Sequence, residues 1–455
     1  MTAKSEQAVY TLVVGLGKTG LSVVRYLRAL GEVVIVVDSR ELPPGLSTIK
    51  REHPDVECFT GGFDVELFTG AHRIVVSPGV ALSEPVLIEA RNNNIEIIGD
   101  IDLFAHEAKA PVVGITGSNG KSTVTTLLAL MASQSGKNVV ASGNIGLPVL
   151  DALNDDVDLY VLELSSFQLE SLQHLPMKAA VVLNISADHL DRYENITAYA
   201  MSKQAIYENA EVLILNKDDE LANISESEHY ACAADKQIKF TLSKPEENEF
   251  GVCVNGDSES LCFGDEALIA VSQLKIKGSH NIQNALAALA LGYASGLVIE
   301  DMIETLKMFK GLPHRTQFVA EIEGVNWIND SKATNVGAAI AALTGIPGKH
   351  VLIAGGEAKG ADFTELVDAV QRYCRAVVLI GKDAKKIKKV MPAGFNVETA
   401  ADMQSAVRVA ARLAQAGDNV LLAPACASFD MFKNFEHRGD VFVESVEALQ
   451  REVSL

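Results

Sequence analysis

The sequence has six cysteines and no Cys-x-x-Cys pair. Structural zinc and dithiol redox sites need such pairs, so neither is expected. Cys58, Cys232, Cys253, Cys262, Cys374 and Cys426 read as free thiols of a reducing compartment. No apolar run is long enough to cross a bilayer. The longest candidate, 285–299, is Ala-rich and interrupted by Gly292, Ser295 and Gly296. Strand-like residues begin by Val9 with no basic segment and apolar core before them, so no secretory leader is expected. Positive charge is also scarce. Lys and Arg number 39 against 59 Asp and Glu, giving a net charge of −20. That balance excludes nucleic acid and an anionic membrane as partners. The expectation is a cytoplasmic, monomeric protein whose anionic ligands meet local clusters of Lys, Arg and backbone N–H groups.

What is present is alternation. Strand-like and helix-like runs follow one another through 455 residues, 48% of them hydrophobic, which predicts about three α/β domains with mostly parallel sheets. Punctuation near Lys109-Ala110-Pro111 and Lys310-Gly311-Leu312-Pro313 sets the expected boundaries at 1–109, 110–312 and 313–455. The first unit reads as Rossmann-like, the second as a P-loop ATPase-like parallel sheet, the third as Rossmann-like.

The most informative stretch is Thr116-Gly117-Ser118-Asn119-Gly120-Lys121-Ser122-Thr123, between an apolar strand-like run and a helix-like one. Glycines let N–H groups converge on phosphate oxygens, Lys121 brings a point charge, and the Ser122 hydroxyl suits Mg²⁺. Ile115 occupies the position of the first Gly in the strict motif, so the match is a shortened G-x-x-G-K-S. Nearer the start, Gly15-Leu16-Gly17-Lys18-Thr19-Gly20 and Asp38 form a dinucleotide fingerprint: a diphosphate on a helix N-terminus and a carboxylate for a ribose hydroxyl. The loop Ser77-Pro78-Gly79 follows a further strand, where open α/β sheets make ligand contacts.

Other candidates are weaker taken singly. Asn144 sits in a glycine turn, and Glu163 ends a strand like a Walker-B metal ligand. Alone, Glu163 reads as a solvated charge, His189 as a structural loop histidine and Lys203 as a surface lysine. Asn281 and Asn284 open an Ala-rich helix, suited to N-capping or to purine and phosphate contacts. Asp330, Lys332 and Thr334 share one loop, and Lys359 lies in another; both loops are cationic in an acidic chain, fitting an anionic substrate.

Together, the phosphate loop, Glu163 in Leu-Glu-Leu-Ser-Ser-Phe-Gln, Asn184 with Asp188-His189-Leu190-Asp191, and His314-Arg315 resemble the Mur ligase superfamily of peptidoglycan-precursor enzymes. The fingerprint loop, Asn329-Asp330-Ser331-Lys332-Ala333-Thr334-Asn335 and Pro424-Ala425-Cys426-Ala427-Ser428-Phe429-Asp430 are similar to its D-glutamate-adding branch. The match runs in order along essentially the whole chain.

The resemblance implies an ATP-dependent amide ligase joining D-glutamate to UDP-N-acetylmuramoyl-L-alanine through an acyl phosphate. By it, Lys18, Thr19, Asp38, Ser39, Ser77 and Gly79 surround uridine and diphosphate, not NAD, and Asn144 contacts the muramoyl part. Gly117, Ser118, Asn119, Gly120, Lys121, Ser122 and Thr123 hold ATP, joined by Asn281, Asn284, Arg315 and Asp330. Ser122, Glu163, His189 and a carbamylated Lys203 organise two Mg²⁺ ions. Lys332, Thr334, Lys359, Ser428 and Phe435 line the D-glutamate pocket. The catalytic group is Lys121, Glu163, His189, Lys203, Asp330 and Lys332. Two departures from the pattern are Glu357, where an Asp is expected, and Ser39, where Thr is also familiar. A nicotinamide oxidoreductase leaves the phosphate loop idle, and a nucleotide switch needs no second substrate pocket. A sister ligase with another amino-acid or folate acceptor stays open.

Overall fold

The structure is a computed structural model and describes residues 9–189, 192–223, 236–256, 258–358 and 360–453. Leu190, Asp191, Cys232 and Lys359 lie outside the described residues.

Three sheets follow one another along the chain. The first comprises β1 (Thr11–Val14), β2 (Val34–Asp38), β3 (Glu57–Thr60), β4 (Arg73–Val76) and β5 (Glu96–Ile98), all parallel, in the order β3-β2-β1-β4-β5. Strand order reverses between β1 and β4. The loops after these strands therefore open a crevice at the carboxyl edge, and they carry Gly15–Gly20 and Ser77–Val80.

The second sheet contains β6 (Val112–Thr116), β7 (Val139–Gly143), β8 (Leu159–Glu163), β9 (Ala179–Val182), β10 (Leu213–Asn216), β11 (Gln237–Phe240), β12 (Glu249–Asn255), β13 (Ser258–Phe263) and β14 (Glu266–Ala270). β6, β8 and β9 are buried along their whole length, as parallel strands covered on both faces require. Their order, β9-β6-β8-β7, brings the phosphate loop after β6 between the ends of β8 and β9. The sheet is mostly parallel, as expected, and its far edge is antiparallel. β12, β13 and β14 pair antiparallel, and the two-residue connection Gly264-Asp265 can join only antiparallel neighbours.

The third sheet runs β15-β16-β20-β17-β18-β19, from β15 (Gln317–Ile322), β16 (Val325–Asn329), β17 (His350–Gly355), β18 (Cys374–Ile380), β19 (Val397–Thr399) and β20 (Asn419–Leu422). Only the β15–β16 hairpin is antiparallel.

The junctions differ in kind. One apolar cluster runs from Val13 and Leu16 in the first unit through Tyr160, Leu162 and Leu164 in the second. The Asp102 carboxylate stitches the same junction by accepting from the Gln173 and His174 amides at 2.8 and 3.2 Å. The third unit keeps its own apolar clusters and meets the second through polar contacts, Arg315 to Ser122 and Asn335 to Asp188 among them. Burial of apolar surface favours a fixed joint, whereas a small polar interface allows relative motion.

Candidate active site

The phosphate loop is braced on all sides. Helix Lys121–Gln134 starts at Gly120, whose φ of 84° suits glycine, and a Cβ there would run into the Asn284 amide. Asn119 N–H donates to Asn184 Oδ1 at 2.9 Å, and Ser186 N–H donates to Ser118 Oγ at 2.9 Å. Lys121 Nζ folds back onto the carbonyls of Gly117 and Ser118, at 2.6 and 3.0 Å. Desolvation lowers its pKa, with Glu163 and Asp188 acting the other way. Ser122 Oγ accepts from Arg315 Nη2 at 2.7 Å, across the junction to the third unit.

Two side chains near this loop, Glu163 and Lys203, overturn their isolated readings. Glu163 is not a solvated charge: it is 2% exposed. Its Oε1 accepts from Asn144 Nδ2 at 2.8 Å, and its buried Oε2 has no hydrogen-bond partner among the described residues. Lys203 is not a surface lysine. It lies in helix Ile196–Gln204, 2% exposed, with Nζ 3.4 Å from Thr116 Oγ1 and 4.8 Å from the Tyr199 ring centroid. Burial, reinforced by the Lys121 charge, drives its pKa well below the usual lysine value, with Asp188 and Glu163 acting the other way. His189 adopts φ 54°, stands 3.9 Å from Asp188 Oδ2 through Nε2, and meets the Phe167 ring edge-on at 4.9 Å. Among the described residues, no three His, Cys, Asp or Glu side chains cluster as a metal site.

A cleft of about 1090 Å³ joins all three units. Lys18, Thr19, Asp38, Ser39, Ser77 and Gly79 line it from the first. Ser122, Asn144 and Glu163 line it from the second, and Arg315, Lys332 and Phe435 from the third. The Asp38 carboxylate is already engaged: Oδ2 accepts from Leu16 N–H at 2.7 Å and Arg40 Nη2 at 2.6 Å, and Oδ1 from Arg40 Nε at 2.8 Å. Burial opposes the Asp38 charge, but Arg40 and the backbone amides outweigh it, and its pKa falls.

A groove of about 80 Å³ between the second and third units gathers more of the nucleotide set, Asn119, Gly120, Thr123, Asn281, Asn284 and Asp330, whereas Gly117, Ser118 and Lys121 line neither space. The two asparagines do not cap their helix, which begins after Gly278. Asn281 Nδ2 donates to the Lys277 carbonyl and Asn284 Nδ2 to Asn281 Oδ1. Burial raises the Asp330 pKa to about 6, against the Thr316 amide and Arg315. Burial lowers Lys332 to about 8, aided by Arg315 and Lys121, and its Nζ sits 4.1 Å over the Phe435 ring.

Not every expected residue lines these spaces. Thr334 and Ser428 line neither, and Ser428 is buried with its carbonyl accepting from the Met431 and Phe432 amides. Sequence reasoning missed Arg40, Gln168 and Thr126 in the cleft wall. It also missed Arg438, a fully buried guanidinium that ties Ser331 to the Cys426 carbonyl. Arg40 left one signal, a cation two positions after the strand-end Asp38. Asn335 caps helix Val336–Gly345 and also reaches Asp188 at 3.2 Å.

A phosphate loop beside a glycine fingerprint and a third α/β unit define a class. Models of three Mur ligase domains match in order: the MurD-like N-terminal domain over 9–99, the middle domain over 115–292, and the glutamate ligase domain over 314–426. The chain belongs to the Mur ligase family. Its curated relatives include proteins named UDP-N-acetylmuramoylalanine--D-glutamate ligase: from Pseudomonas putida, 48% identical over 97% of this chain and 98% of the relative; from Pseudomonas aeruginosa, 49% identical with the same coverage; and from Nitrosococcus oceani, 48% identical over 97% of each. Among solved structures, a pseudomurein peptide ligase type C from Methanothermus fervidus aligns at TM-score 0.60 and 22% identity over 97% of this chain and all of that one. UDP-N-acetylmuramate-alanine ligase from Thermotoga maritima aligns at 0.58 and 18%, covering 97% and 99%. At those identities the structures speak for the fold alone.

Proposed function

We propose that this chain is the ligase that adds D-glutamate to UDP-N-acetylmuramoyl-L-alanine at the expense of ATP, in the cytoplasm, acting as a monomer. The observation that carries the reading is the single cleft. It runs from the fingerprint loop, past Ser122 and Glu163, to Lys332 and Phe435. A UDP-linked acid, a triphosphate terminus and an amino acid could meet there. The family and the 48–49% identical relatives support the substrates.

The residue set fits magnesium. A buried carboxylate oxygen without a hydrogen-bond partner among the described residues, Glu163 Oε2, is a costly feature that a cation would satisfy. Ser122 Oγ and His189 are the further ligands proposed. The buried Lys203 side chain, its pKa lowered by desolvation, fits addition of CO₂: the unprotonated amine forms an N–C bond, releases one proton and becomes a carboxylate. Mg²⁺ bound there would neutralise the phosphate and carboxylate oxygens that must approach one another.

The chain's own residues do the rest. Fingerprint N–H groups, Lys18 and Thr19 hold the diphosphate, while Asn144 orients the muramoyl part. Lys121 and the Gly117–Ser122 loop hold the outer phosphates and stabilise charge as the L-alanine carboxylate oxygen attacks the γ-phosphorus and ADP leaves. Lys332 attracts the D-glutamate carboxylates, whose pocket we extend to Thr334, Lys359, Ser428 and Phe435. The amine nitrogen then attacks the acyl carbon, loses a proton, and inorganic phosphate departs. Arg315 and Asp330 bring the third unit onto the nucleotide, and Asn281 and Asn284 complete that side. Closure across the polar junction excludes water from the acyl phosphate.

The test is phosphate release from ATP and Mg²⁺ with UDP-N-acetylmuramoyl-L-alanine across a panel of amino acids. Release is expected with D-glutamate and near-silence with L-glutamate. Release with a different acceptor identifies a sister ligase, and none with any acceptor overturns the reading.

A further inference from the structure

Arg192 lies outside the cleft wall, yet it touches both sides of the first junction. Its Nη1 donates to the Pro78 carbonyl and its Nη2 to the Val80 carbonyl, both at 3.2 Å. These carbonyls flank Gly79, in a turn closed by Val80 N–H to Ser77 O at 3.0 Å. All four residues of that turn, Ser77, Pro78, Gly79 and Val80, line the cleft. On the second unit, Nη2 also donates to Glu170 Oε2 at 3.0 Å, and the guanidinium carbon stands 4.2 Å over the Phe167 ring. Phe167 carries His189 on its edge, and Glu170 accepts from the Tyr193 hydroxyl. Tyr193 packs on Tyr199, whose ring faces the Lys203 amine. Both Arg192 and Glu170 are mostly buried, at 17% and 19% side-chain exposure, so solvent screens the pair less than a surface pair.

We infer that Arg192 is a positioning residue that locks the Ser77–Val80 turn to the helix behind Glu163, so that a substrate anchored in the first unit presents its carboxylate in register with the phosphate loop. This rests on the reading above, in which the first unit holds the UDP end. The planar guanidinium fork spans two carbonyls and a carboxylate from two nitrogens held in fixed geometry, whereas an ammonium offers its donors from a single point. The consequence is specific. A ligand confined to the first unit gains nothing from the lock, whereas one reaching from the first unit to the second does.

The experiment measures, by calorimetry, the affinities of UDP and of UDP-N-acetylmuramoyl-L-alanine for the wild-type chain, Arg192→Met and Arg192→Lys. Methionine keeps the stem against Phe167 and removes every donor; lysine keeps the charge without the fork. UDP affinity is expected to stay within about twofold throughout. Affinity for the full substrate should fall about tenfold in Arg192→Met and less in Arg192→Lys, consistent with loss of charged hydrogen bonds. An equal loss for both ligands would mean a merely structural role and would overturn the inference, as would no loss for either. A wild-type chain that bound neither ligand would overturn the underlying reading, and the inference with it.

Discussion

The glycine loops after β1 and β6 are both strand–loop–helix corners aimed at phosphate, yet their polar groups are finished differently. Around the first, the buried carboxylate and the turn hydroxyl both have partners. Asp38 takes the Leu16 amide and Arg40, and Ser77 Oγ donates to the Gly15 carbonyl. Around the second, charge is left exposed to its own burial. Lys121 rests on its loop's carbonyls, Glu163 Oε2 has no hydrogen-bond partner among the described residues, and Lys203 is buried with Nζ 3.4 Å from the Thr116 hydroxyl. A satisfied network fixes a shape, which suits holding one end of a substrate. An unsatisfied one stores electrostatic cost that a cation and phosphates relieve, which suits chemistry.

That contrast breaks most visibly at Lys203. Lys203→Ala should lower kcat by about a thousandfold or more, the scale expected when groups organising charge in a site are lost. Short carboxylic acids, entering the space left by the side chain, should restore part of it. Full activity without rescue would remove the carbamate role. Lys121→Ala should be similarly severe. Glu163→Gln should follow at about a hundredfold, with a raised Mg²⁺ requirement as the distinguishing readout.

Lys332 sharpens the comparison through pH. Its folded pKa, near 8, lies below the ordinary 10.5. Below pH 8 it is charged despite burial, so the chain bears the full desolvation cost and an anionic acceptor gains its attraction. As pH rises from 8 to 10.5 the unfolded chain still holds the proton and the folded one releases it. Stability should therefore rise across that window while D-glutamate affinity falls, by about tenfold per unit at most. Lys332→Arg should move the affinity loss to higher pH; an unchanged profile would count against the assignment.

The smallest effect belongs to the satisfied loop. Asp38→Asn should cost about 1–3 kcal/mol of stability, from weakened bonds to Arg40 and Leu16, with only a modest rise in KM for the UDP-linked substrate. Because the Asp38 pKa is depressed, its contribution is present above the unfolded value of 3.8 and fades as pH falls through the lower folded one. A collapse of kcat in this variant would erase the division between the two loops.

The sequence made these loops legible because glycine, lysine and strand-end carboxylates leave fixed local spacings. It concealed what depends on contacts distant in the chain. Lys203 reads as a solvated helix residue until Thr116 and Tyr199 close around it. The Asn281 and Asn284 amides look like caps, yet Asn284 packs against Gly120 from another element. Arg192 and Arg438 act across 114 and 107 residues, and no local pattern encodes such pairs. The antiparallel edge of the second sheet was readable in principle from its two-residue Gly264-Asp265 turn, a signal overshadowed by the parallel strands before it.

The central claim is that a phosphoryl group energises the substrate's own carboxyl. The most direct measurement supplies UDP-N-acetylmuramoyl-L-alanine with ¹⁸O in its alanyl carboxylate, together with ATP and D-glutamate, and weighs the released phosphate. The account predicts one ¹⁸O atom carried into each phosphate formed from fully labelled carboxylate. Phosphate released without label during amide synthesis would contradict it.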